Sequence, residues 1–216
     1  MQNRTELEAA LGTILETLGA YLEDLVLVGG WVPYLHLAYG RAAVEGARTS
    51  LTGEADLVFP AALARRERLP IAEILETAGF RPIGGSGVVW GRDVERGEKI
   101  EFLRTHHGPL LRSGSPIEVE DQPRVRALSL ERLWIQEAFT EEILIPAPGE
   151  GSRHLSVRVP LLAAFALNKA NTFDLRGGAD REVKAGKDLL YLRDIMAAGE
   201  EAHAVLEEDL GRMAGS

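Results

Sequence analysis

The chain of 216 residues contains no cysteine. That excludes disulfide scaffolds, thiol nucleophiles and cysteine-bound zinc, and it fits a cytoplasmic location. Apolar runs are short, and none approaches the roughly 18–20 residues that a membrane-spanning helix needs. The N-terminal stretch lacks a basic start and an uninterrupted apolar centre, so it reads as an amphipathic acidic helix rather than a signal peptide. Positive charge is the scarcer sign. Lys and Arg number 24 against 33 Asp and Glu, a formal net charge of −9, which argues against broad salt-driven binding of nucleic acid. A local basic patch built from Arg124, Arg126 and Arg132 remains open, as does a nucleotide whose charge a metal carries. No Ser-His-Asp arrangement with nucleophile-elbow glycines supports a hydrolase. What is present, 45% hydrophobic and 26% charged residues, is ordinary for a globular protein long enough to bury a core.

The chain is organised around residues 25–59. The apolar run Leu25-Val26-Leu27-Val28 is cut off by Gly29-Gly30, a helix follows from Trp31 to about Tyr39, and a second strand spans Thr52–Phe59. Alternation along that strand puts Glu54 and Asp56 on one face and Ala55, Leu57 and Phe59 on the other. Two carboxylates cannot be buried without compensation, so the pair points to a hard cation with oxygen ligands. A solvated strand edge is the competing explanation.

Around this centre, Leu7, Leu11, Ile14, Leu15, Leu18 and Leu22 predict a helix over 5–22, with Thr5 and Glu8 as its capping box. Pro70 and Gly79 bracket another helix. Residues 80–83, 88–90 and 99–104 read as strands, with Ile117–Val119 as a short edge strand. The Gly84-Gly85-Ser86-Gly87 stretch lacks the Lys-Ser/Thr of a P-loop and reads as a hairpin turn. In the strand at 99–104, Glu101 lies opposite the apolar pair Ile100 and Phe102, and is either a third site acid or the partner of Lys99 or Arg104. Adjacent His106 and His107 splay apart and make poor ligands, and Trp31 and Trp90 read as core. Ser129 caps a helix to about Phe139; Glu141–Ser156, with Pro146, Pro148, Gly149 and Gly151, reads as an irregular connection. Helices over 160–172, 179–198 and 200–213 complete the chain, the first two separated by a polar break at Asp174–Gly178 that leads to Arg181. The expected class is α+β: an α/β core lobe over 1–128 and a mostly helical C-terminal lobe over 129–216.

The order of these pieces resembles the polymerase-beta-like nucleotidyltransferase superfamily. The resemblance is carried by Val28-Gly29-Gly30-Trp31, by Thr52-Gly53-Glu54-Ala55-Asp56-Leu57 and by Lys99-Ile100-Glu101-Phe102-Leu103. Ala166-Leu167-Asn168-Lys169-Ala170 and the run from Lys184 to Leu192 are similar to the helical lysine motifs of the AbiEii-type branch, which includes toxins of type IV toxin–antitoxin pairs. The resemblance implies a nucleotidyltransferase-like mixed sheet with flanking helices, and an enzyme that moves a nucleoside monophosphate from an NTP to an acceptor hydroxyl. The acceptor would be a small molecule, a protein or an RNA, and an antitoxin would be a partner chain. Gly29, Gly30 and Thr52 would sit at the nucleotide, with Lys169 and Lys187 on its phosphates. Glu54, Asp56 and Glu101 would be catalytic and hold Mg2+ or Mn2+ in a two-metal site. Two features depart from the family pattern, which has Asp where Glu54 stands and commonly Asp where Glu101 stands. The same resemblance therefore also admits a degenerate fold member that binds or regulates without turnover. Taken alone, Lys187-Asp188 also reads as an exposed helical pair with Asp188 a structural tie, and Lys169 either snorkels to water or faces a cleft.

Overall fold

The structure is a computed structural model that describes residues 3–46, 49–59, 68–106, 114–119, 122–149, 152–175 and 181–216. His107, Arg176 and the 176–180 part of the polar break lie outside the described residues, as do the side chains of Arg132, Asp174 and Arg181. The fold is mixed α+β: a seven-stranded mixed sheet, a separate two-stranded hairpin, and a helical C-terminal region.

In the main sheet, β1 (Val26–Val28) runs antiparallel to β2 (Ala55–Val58), and β2 runs parallel to β5 (Lys99–His106). The far edge of β5 is shared. Its first residues pair with β4 (Val89–Gly91), which pairs with β3 (Arg81–Ile83), and its last residues pair with β7 (Val125–Ser129). The short β6 (Pro116–Ile117) closes that edge against β7. The stretch from Gly84 to Gly87 does form the turn between β3 and β4, with Gly84 and Gly87 at positive φ.

Both faces of the sheet are covered. Leu27, Ala55, Leu57, Ile100 and Phe102 pack into a large core with α1 (Arg4–Thr17) and α3 (Ile71–Thr77), where Phe59 meets Phe102 edge to face at 5.2 Å. Trp31 and Trp90 belong to this core, as expected. Val26, Val28, Val58 and Leu103 face the other way and meet Leu133 of α4 (Leu130–Ala138). This is also the face of Asp56 and Glu101, because side chains two apart on a strand share a face.

Several expectations are corrected. The capping box of α1 uses Asn3 and Glu6 rather than Thr5 and Glu8: Glu6 N donates to Asn3 Oδ1 at 2.8 Å, and Asn3 N to Glu6 Oε2 at 3.3 Å. Glu8 instead accepts from Arg4 and Tyr34. The helix stops at Thr17 and yields to a 3-10 turn over Gly19–Tyr21. Strand β7 is not among the elements expected from the sequence, although Val125 and Ala127 point inward around Arg126. The stretch Glu141–Ser156 is not irregular. It belongs to a hairpin of β8 (Thr140–Pro146) and β9 (His154–Pro160), and the proline and glycine residues cluster in its turn.

That hairpin joins the two parts expected on either side of residue 128. Its inward residues Ile143, Ile145, Val157 and Val159 lie in the same core as α1 and the main sheet. Helices α5 (Leu162–Leu175), α6 (Arg181–Met196) and α7 (Glu200–Ala214) form a second core with Val32 and Leu37 of α2 (Val32–Tyr39). Helix α2 thus serves both cores, with Tyr34 and Leu35 turned toward the first. Among the described residues no helix is long and apolar enough to cross a membrane.

A charged cluster locks the second core to the hairpin. Arg41 pairs with Glu141 (2.8 Å), Glu208 (3.0 Å) and the fully buried Asp209, whose other oxygen accepts from Ala163 N at the start of α5 (3.3 Å). Removing one partner of a buried pair leaves the other uncompensated. Asp209→Ala is expected to destabilise the fold by about 2–4 kcal/mol, below the upper end for such pairs because Arg41 keeps two other carboxylates. Urea unfolding that shows no shift in midpoint would refute this role.

Candidate functional site

The site is built where β1 ends. After Val28 the chain turns sharply at Gly29, whose φ of +76° suits glycine, and a 3-10 turn over Gly29–Trp31 leads into α2. A Cβ at Gly29 would overlap Asp56 Oδ2 and stand 3.1 Å from Asp56 Cγ. The missing side chain is therefore the space in which the Asp56 carboxylate lies. Gly30 has a different purpose. Its missing Cβ admits the Tyr191 hydroxyl and the Thr52 methyl group, 2.9 Å from where that Cβ would be.

Strand register brings the acids together. Val28 lies opposite Asp56, and Asp56 lies beside Glu101 in the parallel β2–β5 pair. Glu54 precedes β2 and reaches the same place. One carboxylate oxygen from each of Glu54, Asp56 and Glu101 lies within 4.8 Å of the other two. Two oxygens held by one hard cation stand up to about 4–5 Å apart, so the donor set and its spacing fit a divalent ion. A one-residue slip of β5 would send Glu101 to the opposite face and dissolve the cluster.

The acids do not share one environment. Glu54 pairs with Lys99 at 3.1 Å, and Glu101 accepts from Arg126 Nε of β7. Arg126 also donates to the Gly114 carbonyl at 3.3 Å. Among the described residues Asp56 takes no hydrogen bond or ion pair. Burial, then repulsion from Glu54 and Glu101, push its pKa up to about 8, against the opposing pull of Lys169 and Lys99. The protein thus holds a carboxyl that needs either a proton or a cation.

Asp56 and Glu101 line a cleft of about 540 Å³ whose walls come from the sheet, β7, α4, α5 and α6. Lys169 of α5 lines it, steered by the buried Asp188 at 3.5 Å and lying over the rings of Phe165 and Tyr191 at 5.2 and 5.7 Å. Asp188 is the structural tie expected of it. Lys187 does not line the cleft; it is exposed, and Lys184, about one helical turn earlier, lines the cleft instead. Gly29 lines the cleft, while Gly30, Thr52 and Glu54 stand behind that lining. Of the alternatives open for Glu101, neither Lys99 nor Arg104 is the partner found; Arg126 is.

Helix α6 braces the acidic strand from behind. Asp194 accepts from Ser50 N at 2.6 Å, and Tyr191 fills the notch made by Gly30 and Thr52. Burial, then Asp56, Asp188 and Asp194, push the Tyr191 phenol up to about 12, so it stays neutral at physiological pH. Sequence reasoning misses Arg126 as a site residue because it lies on β7, which has no clear local signal. It also misses Gln136 and Tyr191, whose placement depends on how α4 and α6 pack. No family model, no curated protein and no solved structure matches the chain.

Proposed function

We propose that the protein is a metal-dependent nucleotidyltransferase of the polymerase-beta-like kind, moving a nucleoside monophosphate from an NTP to an acceptor hydroxyl with release of pyrophosphate. One observation carries this reading: three carboxylates converge at a positive-φ glycine, in a cleft that Lys169, Lys184 and Arg126 also line. Glu54, Asp56 and Glu101 would hold Mg2+ or Mn2+. When bound, the metal would bridge the phosphates and stabilise the attacking and leaving oxygens of an in-line displacement. Lys169, held by Asp188, would place a fixed positive charge at the phosphates, and Lys184 a second. Glu101 would complete the metal set or take the proton of the acceptor hydroxyl as its oxygen attacks the α-phosphorus and the bond to pyrophosphate breaks. Gly29 would leave the phosphates free to approach Asp56. The acceptor would be a small molecule, a protein or an RNA, the last least favoured by the net charge of −9.

A second reading has its own support. Lys99 on Glu54 and Arg126 on Glu101 put protein cations on two of the three acids. An inactive fold member that binds nucleotide, or regulates through a partner such as an antitoxin, would be built in this way. Metal-dependent NTP binding and pyrophosphate release, measured for the wild type and for Asp56→Asn, separate the two. The enzyme reading expects release by the wild type and a loss of at least about 1000-fold in the variant, as metal-dependent transition-state stabilisation requires. Equal rates remove Asp56 from the mechanism, and nucleotide binding without release selects the inactive fold.

A further inference from the structure

The cleft is not charged throughout. Val28, Leu103, Leu128 and Leu133 line it as well, with two side-chain amides, Gln136 of α4 and Asn168 of α5. Both amides are buried, at 3% and 2% exposure. Gln136 lies three residues after Leu133, so the same face of α4 presents an apolar surface and an amide to the cleft. The Gln136 Oε1 atom is shut off from solvent and accepts no hydrogen bond from any described residue. Buried acceptors are almost always satisfied, and one left without a donor is destabilising. Where such a side chain borders a ligand cleft, the missing donor belongs to the ligand.

Building on the nucleotide reading above, we propose that Gln136 reads the nucleobase, accepting a hydrogen bond from an exocyclic amino group, so that the cleft prefers an amino-bearing base to uracil. The apolar neighbours suit the flat faces of a base, and the amide supplies the single polar contact that orients it. Uracil offers its N3–H only between two carbonyl oxygens, whose lone pairs would confront the same buried Oε1. A pocket built to hydrogen-bond a group discriminates strongly against the analogue that lacks it, because the buried partner is then left unpaired. A ribose hydroxyl is the other donor in a nucleotide, and a 2′-deoxy analogue separates it from the base.

The probes are CTP, UTP, 2′-deoxy-CTP and inorganic tripolyphosphate, each titrated calorimetrically with Mg2+ into the full chain. CTP and UTP have the same ring size and differ at the edge in question. Wild type is expected to bind CTP at least about 10-fold more tightly than UTP, in line with the loss of a buried hydrogen-bond partner. Gln136→Leu and Gln136→Met should bring the two within about 2-fold while leaving tripolyphosphate affinity unchanged. Without ligand, both variants should melt no lower than wild type, because an unsatisfied buried amide has been removed.

Equal binding of CTP and UTP by wild type overturns the proposal, as does a preference that survives in both variants. Weak binding of 2′-deoxy-CTP, with CTP and UTP alike, assigns the oxygen to ribose and also overturns it. Tripolyphosphate binding without base preference defeats the base assignment and leaves the phosphate site standing. Binding of none of the four probes removes the nucleotide reading itself.

Discussion

Asp56→Asn is expected to abolish turnover and, in the same protein, to stabilise the metal-free fold at alkaline pH. The cause is the Asp56 carboxyl, which burial and the neighbouring Glu54 and Glu101 push up to about 8. In the unfolded chain the same group titrates near 4. Between these values the native state holds a proton that the unfolded state has released, so stability falls as pH rises from about 4 to about 8 and levels off above that. One fully linked proton corresponds to at most about 1.4 kcal/mol per pH unit, and solvent reaching the cleft lowers this. Asparagine carries no proton to lose, so the variant should melt with a flatter pH profile and exceed the wild type at pH 9. Added Mg2+ should stabilise the wild type increasingly as pH rises, because metal binding displaces the proton, and should leave Asp56→Asn unmoved. Parallel melting curves for the two proteins across pH 5–9 in EDTA would refute the account.

Gly29→Ala is expected to be the most damaging single-carbon change in the chain. A left-handed backbone costs a non-glycine residue about 1–2 kcal/mol. That strain is the smaller effect, since the new methyl would also overlap Asp56 Oδ2 and crowd its Cγ at 3.1 Å. The carboxylate must move, and a displacement of even about 1 Å at a catalytic group costs on the order of 100-fold in rate. Gly46→Ala is the control. It meets the same backbone strain at φ +74°, with nothing within 4 Å of the added carbon. Gly46→Ala should therefore lose stability and keep its metal affinity and turnover, whereas Gly29→Ala should lose all three. Equal effects of the two substitutions would mean that Gly29 matters only for its backbone.

Short-range patterns make part of the site legible in the sequence. Val28-Gly29, the Glu54/Asp56 spacing and Glu101 can be read there because period-two alternation and a glycine after an apolar run are local signals. The hairpin of β8 and β9 is hidden. Its turn is dense in proline and glycine, and its outward residues include Glu142 and Arg158, which mask the alternation of Ile143 with Ile145 and of Val157 with Val159. Strand β7 is hidden because five residues centred on Ala127 give too short a pattern to separate from a loop. Arg126 is hidden with it.

The helical lysines cannot be told apart locally for a related reason. Lys184 and Lys187 are three residues apart, close enough for either to be assigned to one helical face. Which of them borders the cleft depends on the rotation of α6, and that rotation is set by Tyr191 against Gly30 and Asp194 on Ser50. None of those contacts has a local signature.

The amino-acid sequence alone determined the elements around the centre: an apolar strand ending at a glycine that must bend, a strand whose acids share a face, and a later strand with one acid among apolar neighbours. These follow from side-chain alternation and from the backbone freedom of glycine, both properties of adjacent residues. Only the tertiary structure decided that Asp56 and Glu101 stand side by side, that Lys99 and Arg126 pair with the flanking acids, and that Gln136 lines the cleft with an oxygen unserved. Those outcomes depend on strand register and helix packing, where contacts between distant residues, rather than any run of neighbours, determine the free energy.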